Sequence, residues 1–102
     1  MSEGGFDPTI HPPARLQIMA VLAGVHDAEF ALLKKIVKVS DSLLSKHLSA
    51  LVDAGYVNLR KAALDGRQRT WAQITKAGRR AFADHVKALE ALAAVVDRMA
   101  AE

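Results

Sequence analysis

The chain has 102 residues, 51% hydrophobic and 25% charged, which suits one globular domain and excludes a disordered or fibrous chain. It has no cysteine, which excludes disulfides, thiolate catalysis and cysteine-ligated metals. The formal net charge is only +3, but from Tyr56 to Arg80 seven cations accompany the single acid Asp65, so that segment carries +6 and the remainder −3, a local footprint of the kind that meets phosphates.

The opening MSEGGFDPTI has neither the basic nor the apolar region of a secretory signal. No apolar run approaches the roughly 20 residues that span a bilayer. The expectation is a cytoplasmic protein with no membrane partner. Residues 1–10, rich in glycine and polar side chains, read as a flexible arm. His11-Pro12-Pro13 then opens a helix, since proline fits a first turn where no intrahelical N–H is needed. Leu16, Met19, Ala20 and Ala23 recur at helical spacing, Ile18 and Leu22 widen the stripe, and Gly24 ends it.

Asp27 to Phe30 reads as a short extended piece before a helix over about Ala31–Val37, with Leu32, Leu33, Ile36 and Val37 inward and Lys34, Lys35 and Lys38 in solvent. After a turn at Lys38-Val39-Ser40, Ser40 caps a third helix with Asp41 in its first turn, suited to the positive helix end. Leu44, Leu48 and Leu51 form its apolar stripe, and Gly55 is the left-handed residue that stops it. From Tyr56 the pattern alternates. Asp65-Gly66 is a strong hairpin signal, and folding about it pairs Leu59 with Ala72 and Val57 with Ile74, although a longer loop is also compatible. Trp71 falls opposite Arg60, placed to pack or to stack on it rather than to intercalate.

Thr75 caps a last helix to about Ala101, which at roughly 26 residues and 1.5 Å per residue is about 40 Å long. Phe82, His85, Leu89, Leu92, Val96 and Met99 make a near-heptad seam along it. The seam is expected to be a dimer interface, with His85 an interfacial polar residue, rather than a helix folded back on its own core. This divides the chain into the arm at 1–10, a main domain at 11–85 and the distal dimerisation helix at 86–102.

Two helices joined by a short turn set the second at a steep angle, with one face packed and the other protruding. The protruding face shows Ser42, Leu43, Ser45, Lys46 and His47, with Ser49 behind them. Hydroxyls, a cation and an imidazole can lie close to base edges and phosphates. His47 could instead tuck beside the second helix. Arg60, Lys61, Arg67, Gln68 and Arg69 on the hairpin are suited to clamp the backbone or enter the minor groove. Asp84 and His85 are adjacent and do not share a helix face, and His11, His26 and His47 lie on separate elements, so no metal site and no cofactor are expected. Neither a strained nucleophile turn nor a phosphate-cradling glycine loop is present, and the chain is read as no enzyme.

Three stretches, HPPARLQIM at 11–19, SDSLLSKHLSALVDAGYV at 40–57 and GRQRTWAQITKAGRRAF at 66–82, carry a resemblance to the winged helix-turn-helix transcriptional regulators of bacteria and archaea. The likeness is to short members similar to the MarR and ArsR groups. It implies a mainly α fold with a small β-hairpin, the wing, and a long C-terminal dimerisation helix. It also implies a nucleoid-associated homodimer that represses transcription from a roughly palindromic double-stranded DNA operator. By motif position Ser42, Leu43, Ser45, Lys46 and His47 would enter the major groove, and Arg67 and Arg69 would sit on the wing. Leu43 stands where the family often has a polar residue, so it contacts a thymine methyl or simply packs. No inducer site is recognisable; an effector would bind in the crevice between the long helices and the domains. The alternative reading is a winged helix used as a protein–protein module without DNA binding, which would have no need of a +6 segment.

Overall fold

The computed structural model describes residues 5–101, and the first four residues of the expected arm lie outside that range. In chain order the elements are α1 (Pro13–Ala23), β1 (Ala28–Glu29), α2 (Phe30–Val37), α3 (Asp41–Asp53), β2 (Val57–Leu64), β3 (Arg67–Ile74) and α4 (Lys76–Ala101). This is a winged helix: helices packed on a small antiparallel sheet, ordered β1-β3-β2, with a long C-terminal helix.

Local chemistry sets most of the boundaries. Pro13 occupies the first turn of α1, where its fixed φ and missing N–H cost nothing. Lys38 ends α2 in the left-handed region at φ 59°. The Ser40 hydroxyl then accepts the Leu43 N–H at 3.2 Å and starts α3. Gly55, at φ 82°, turns the chain out of α3. Asp65 and Gly66 both have positive φ and leave Leu64 opposite Arg67, so the hairpin loop is the two-residue turn and not a longer one. Val57 pairs with Ile74 and Leu59 with Ala72, as the alternation requires. At the start of α4 the Gly78 N–H donates to the Thr75 hydroxyl, which itself donates to the Gly55 carbonyl.

The core gathers Ile18, Met19 and Leu22 of α1, Leu33 of α2, Leu44, Leu48 and Leu51 of α3, and Val57, Ala72 and Ile74 of the sheet. Ile10 is fully buried among them. The segment from Gly5 to His11 is therefore no loose arm. Asp7 is buried, its backbone N–H donates to His85 Nδ1 at 2.9 Å, and its carboxylate accepts from the Thr9 N–H and the Tyr56 hydroxyl. The polar composition that suggested an arm instead satisfies buried hydrogen-bonding groups.

His85 departs from expectation for the same reason. It is wholly buried inside the protomer, within hydrogen-bond distance of His11 Nδ1 through Nε2 at 3.2 Å, with Phe6 edge-on. It occupies the core side of α4 and is not part of an exposed seam. Phe82 likewise packs against the core, and Leu89 is half-buried. Beyond Leu89 the helix projects from the domain, and every described side chain from Ala91 to Ala101 is exposed. This projection makes the protomer 60 Å long but only 25 by 22 Å across.

Candidate nucleic-acid interface

The turn between α2 and α3 aims the N-terminal half of α3 away from the core. With Leu44, Leu48 and Leu51 wholly occupied inside, Ser42, Leu43, Ser45, Lys46 and Ser49 are exposed and His47 is half-buried. Asp41, the acid at the tip, is bridged to Lys34 of α2 at 2.7 Å, which offsets the one local charge that would repel phosphates. Backbone N–H groups at this helix end add a partial positive charge.

His47 does not tuck beside α2. Its Nδ1 accepts a hydrogen bond from Arg15 Nε of α1 at 3.1 Å, while the same guanidinium donates to the Thr9 carbonyl at 3.2 Å. Burial, and then the Arg15 charge, push the His47 pKa below its ordinary value. The neutral imidazole thus accepts at Nδ1 and carries its proton on Nε2, a donor on the outer side of the pair. Sequence reasoning misses Arg15, because it lies 32 positions from His47 and no local pattern links them.

The hairpin divides the five expected wing residues between its faces. Cross-strand register sets Arg60, Arg67 and Arg69 on one face with Trp71, and Lys61 and Gln68 on the other. Two of the arginines are already paired. Arg60 bridges to Asp27 and lies over the Trp71 ring at 5.7 Å, and Arg69 bridges to Glu29 at 2.8 Å. Both acids flank Ala28 in and beside β1, so the short strand ties the base of the wing to the body of the domain. The pairs leave the 56–80 segment with four excess positive charges rather than six. Lys61, Arg67 and Gln68 are exposed, and neither Lys61 nor Arg67 has an ion-pair partner among the described residues. The outer wing, not its base, therefore carries the accessible charge.

Beside the first turns of α4, an open cavity of about 910 Å³ lies between that helix, the N-terminal segment and the end of α3. Asp7, Thr9, Tyr56, Lys76 and Arg80 line it. The hydrogen bond to Asp7, burial and the Asp7 charge together push the Tyr56 pKa up to about 12, so Tyr56 stays a neutral donor across the ordinary pH range. No cluster of three or more metal-ligating side chains occurs among the described residues. No described helix is long and apolar enough to cross a membrane.

A family whose pattern is described as a winged helix DNA-binding domain matches residues 14–93. An uncharacterized protein of Methanocaldococcus jannaschii is 36% identical over 72 residues, spanning 71% of this chain and 78% of that protein. Among solved structures, a transcriptional regulator homologue from Pyrococcus horikoshii OT3 superposes with a TM-score of 0.81 at 28% identity, over 87% of this chain and 88% of that one. HlyU from Vibrio cholerae N16961 superposes with a TM-score of 0.60 at 26% identity, over 72% of this chain and 76% of its own.

Proposed function

The chain belongs to the winged helix DNA-binding domain family, and from that membership we propose that it is a sequence-specific, double-stranded DNA-binding transcriptional regulator that acts as a homodimeric repressor. The similar Pyrococcus horikoshii OT3 protein is a transcriptional regulator homologue. The observation that carries the reading is the pairing of an exposed, hydroxyl- and cation-bearing start of α3 with a wing whose outer part keeps Lys61 and Arg67 unpaired among the described residues. On this reading Ser42, Leu43, Ser45, Lys46 and His47 enter the major groove, while Lys61, Arg67 and Gln68 contact the backbone. Arg60 and Arg69 hold the wing in place through Asp27 and Glu29.

Leu89, Leu92, Val96 and Met99 supply the dimer contact, with Phe82 and His85 left to the protomer's own interior. A two-fold dimer presents two copies of α3, so its operator is an inverted repeat. Such an occupied site blocks other proteins from the same DNA, which is the physical basis of the repressor assignment.

Titration into labelled mixed-sequence duplexes at several salt concentrations tests the reading. Phosphate contacts release counterions, so affinity should fall steeply with salt. A Lys46→Ala/Lys61→Ala/Arg67→Ala variant should bind more weakly, with a salt slope shallower by about 1 for each phosphate that no longer meets a cation. No duplex binding at low salt would overturn the reading in favour of a protein-binding winged helix.

A further inference from the structure

The first two turns of α3 contain one apolar side chain that the core does not use. Leu44, Leu48 and Leu51 fill the inward stripe and are essentially fully buried, whereas Leu43 is 42% exposed. Its position is fixed, because its backbone N–H is the donor to the Ser40 cap. From the third residue of the helix its side chain leans back toward the helix start, the part of such a helix that sits deepest in a groove. Its neighbours along this face are polar: exposed Ser42 beside it, exposed Lys46 one turn on, and half-buried His47 at the following position, steadied by Arg15.

Base-pair edges in the major groove offer donors, acceptors and one apolar group, the thymine 5-methyl. Serine, lysine and imidazole match the polar edges. An exposed leucine matches only the methyl. We propose that Leu43 is a specificity-determining residue that reads the 5-methyl of a thymine in each operator half-site. The inference rests on the reading of α3 as the groove-entering helix and deepens it by naming a chemical feature that the operator must carry.

Thymine and uracil have the same hydrogen-bonding edges and differ by this methyl alone. The operator is first selected from a randomised duplex pool with the unaltered protein. Each thymine is then replaced singly by deoxyuridine. One position per half-site should weaken binding by about three- to fivefold, the factor that burial of one methyl supports. Leu43→Ala should bind the thymine and deoxyuridine duplexes equally, while Leu43→Met, which keeps an apolar reach, should retain the discrimination. Because Leu43 lies outside the core, both variants should melt with the unaltered protein. Selection of an operator in which no thymine-to-uracil change matters would overturn the inference and leave the regulator reading intact. So would discrimination that survives in Leu43→Ala. Failure to bind any duplex at low salt would overturn both.

Discussion

Gly78 and His85 sit two turns apart on α4, and each is fixed by something far away in sequence. A Cβ at Gly78 would run into the Tyr56 carbonyl oxygen, which already accepts the Thr75 N–H at 2.9 Å, and would crowd Ile74. Alanine in a helix interior is worth roughly 1 kcal/mol over glycine, but here the obstacle is backbone, with no flexible end to swing aside. Gly78→Ala should therefore be a net loss, of order 1 kcal/mol or more, read as a lower midpoint in thermal unfolding; an unchanged or higher midpoint would contradict the close packing. At His85, burial and the neighbouring His11 charge lower the pKa against an opposing contribution from Asp7. The folded state then holds this proton less tightly than the unfolded chain, whose imidazole titrates near 6.5. Stability should be fully present above that pH and fall as the pH drops through it. Melting curves from pH 8 to pH 5 should show the decline. A His85→Gln variant should be less stable at neutral pH but less sensitive to acid, with residual dependence from His47, whose pKa is also lowered.

The elements legible in the sequence are those fixed by neighbours a few residues apart. Ser40 and Thr75 cap because each lies within three residues of the N–H it accepts. The Asp65-Gly66 turn sets the whole register of β2 and β3 from two residues. The inward leucines of α3 follow from a single helical period. What is not legible is long-range and polar. Asp7 meets His85 across 78 positions and Tyr56 across 49, so residues 5–10 resemble a solvated arm and His85 a seam residue until the fold brings them together. The acids Asp27 and Glu29 lie just before and within a two-residue strand, too short for its pairing to be read from alternation, and their claim on Arg60 and Arg69 is hidden with it. On α4 the heptad pattern runs on without marking where the domain ends. The structure divides it at Leu89, past which Leu92, Val96 and Met99 are exposed, Met99 by 69%. On the proposed dimer, Leu92→Asp with Val96→Asp should leave the protomer folded, since neither side chain contributes to its core, and should convert the protein to a monomer in sedimentation equilibrium. A variant that remains dimeric would place the interface elsewhere.

At the scale of the molecule, charge and shape are separated along one long axis. The excess positive charge lies on the sheet and the start of α4, and the most exposed large apolar side chains among the described residues, Leu92, Val96 and Met99, on the far half of α4. On the proposed reading one end meets a polyanion and the other a second copy, so the two associations need not compete for surface. Between them the N-terminal segment touches both systems, through Asp7 to His85 and through the Thr9 carbonyl to Arg15 and His47. The sheet has a further consequence of an optical kind. Trp71 is the chain's only tryptophan, and it lies not in the core but on the hairpin under the Arg60 guanidinium, beside the strand that carries Glu29. The indole emission of the protein is therefore a signal from the base of the wing, a native fluorophore beside the ion pairs that hold the hairpin to the domain.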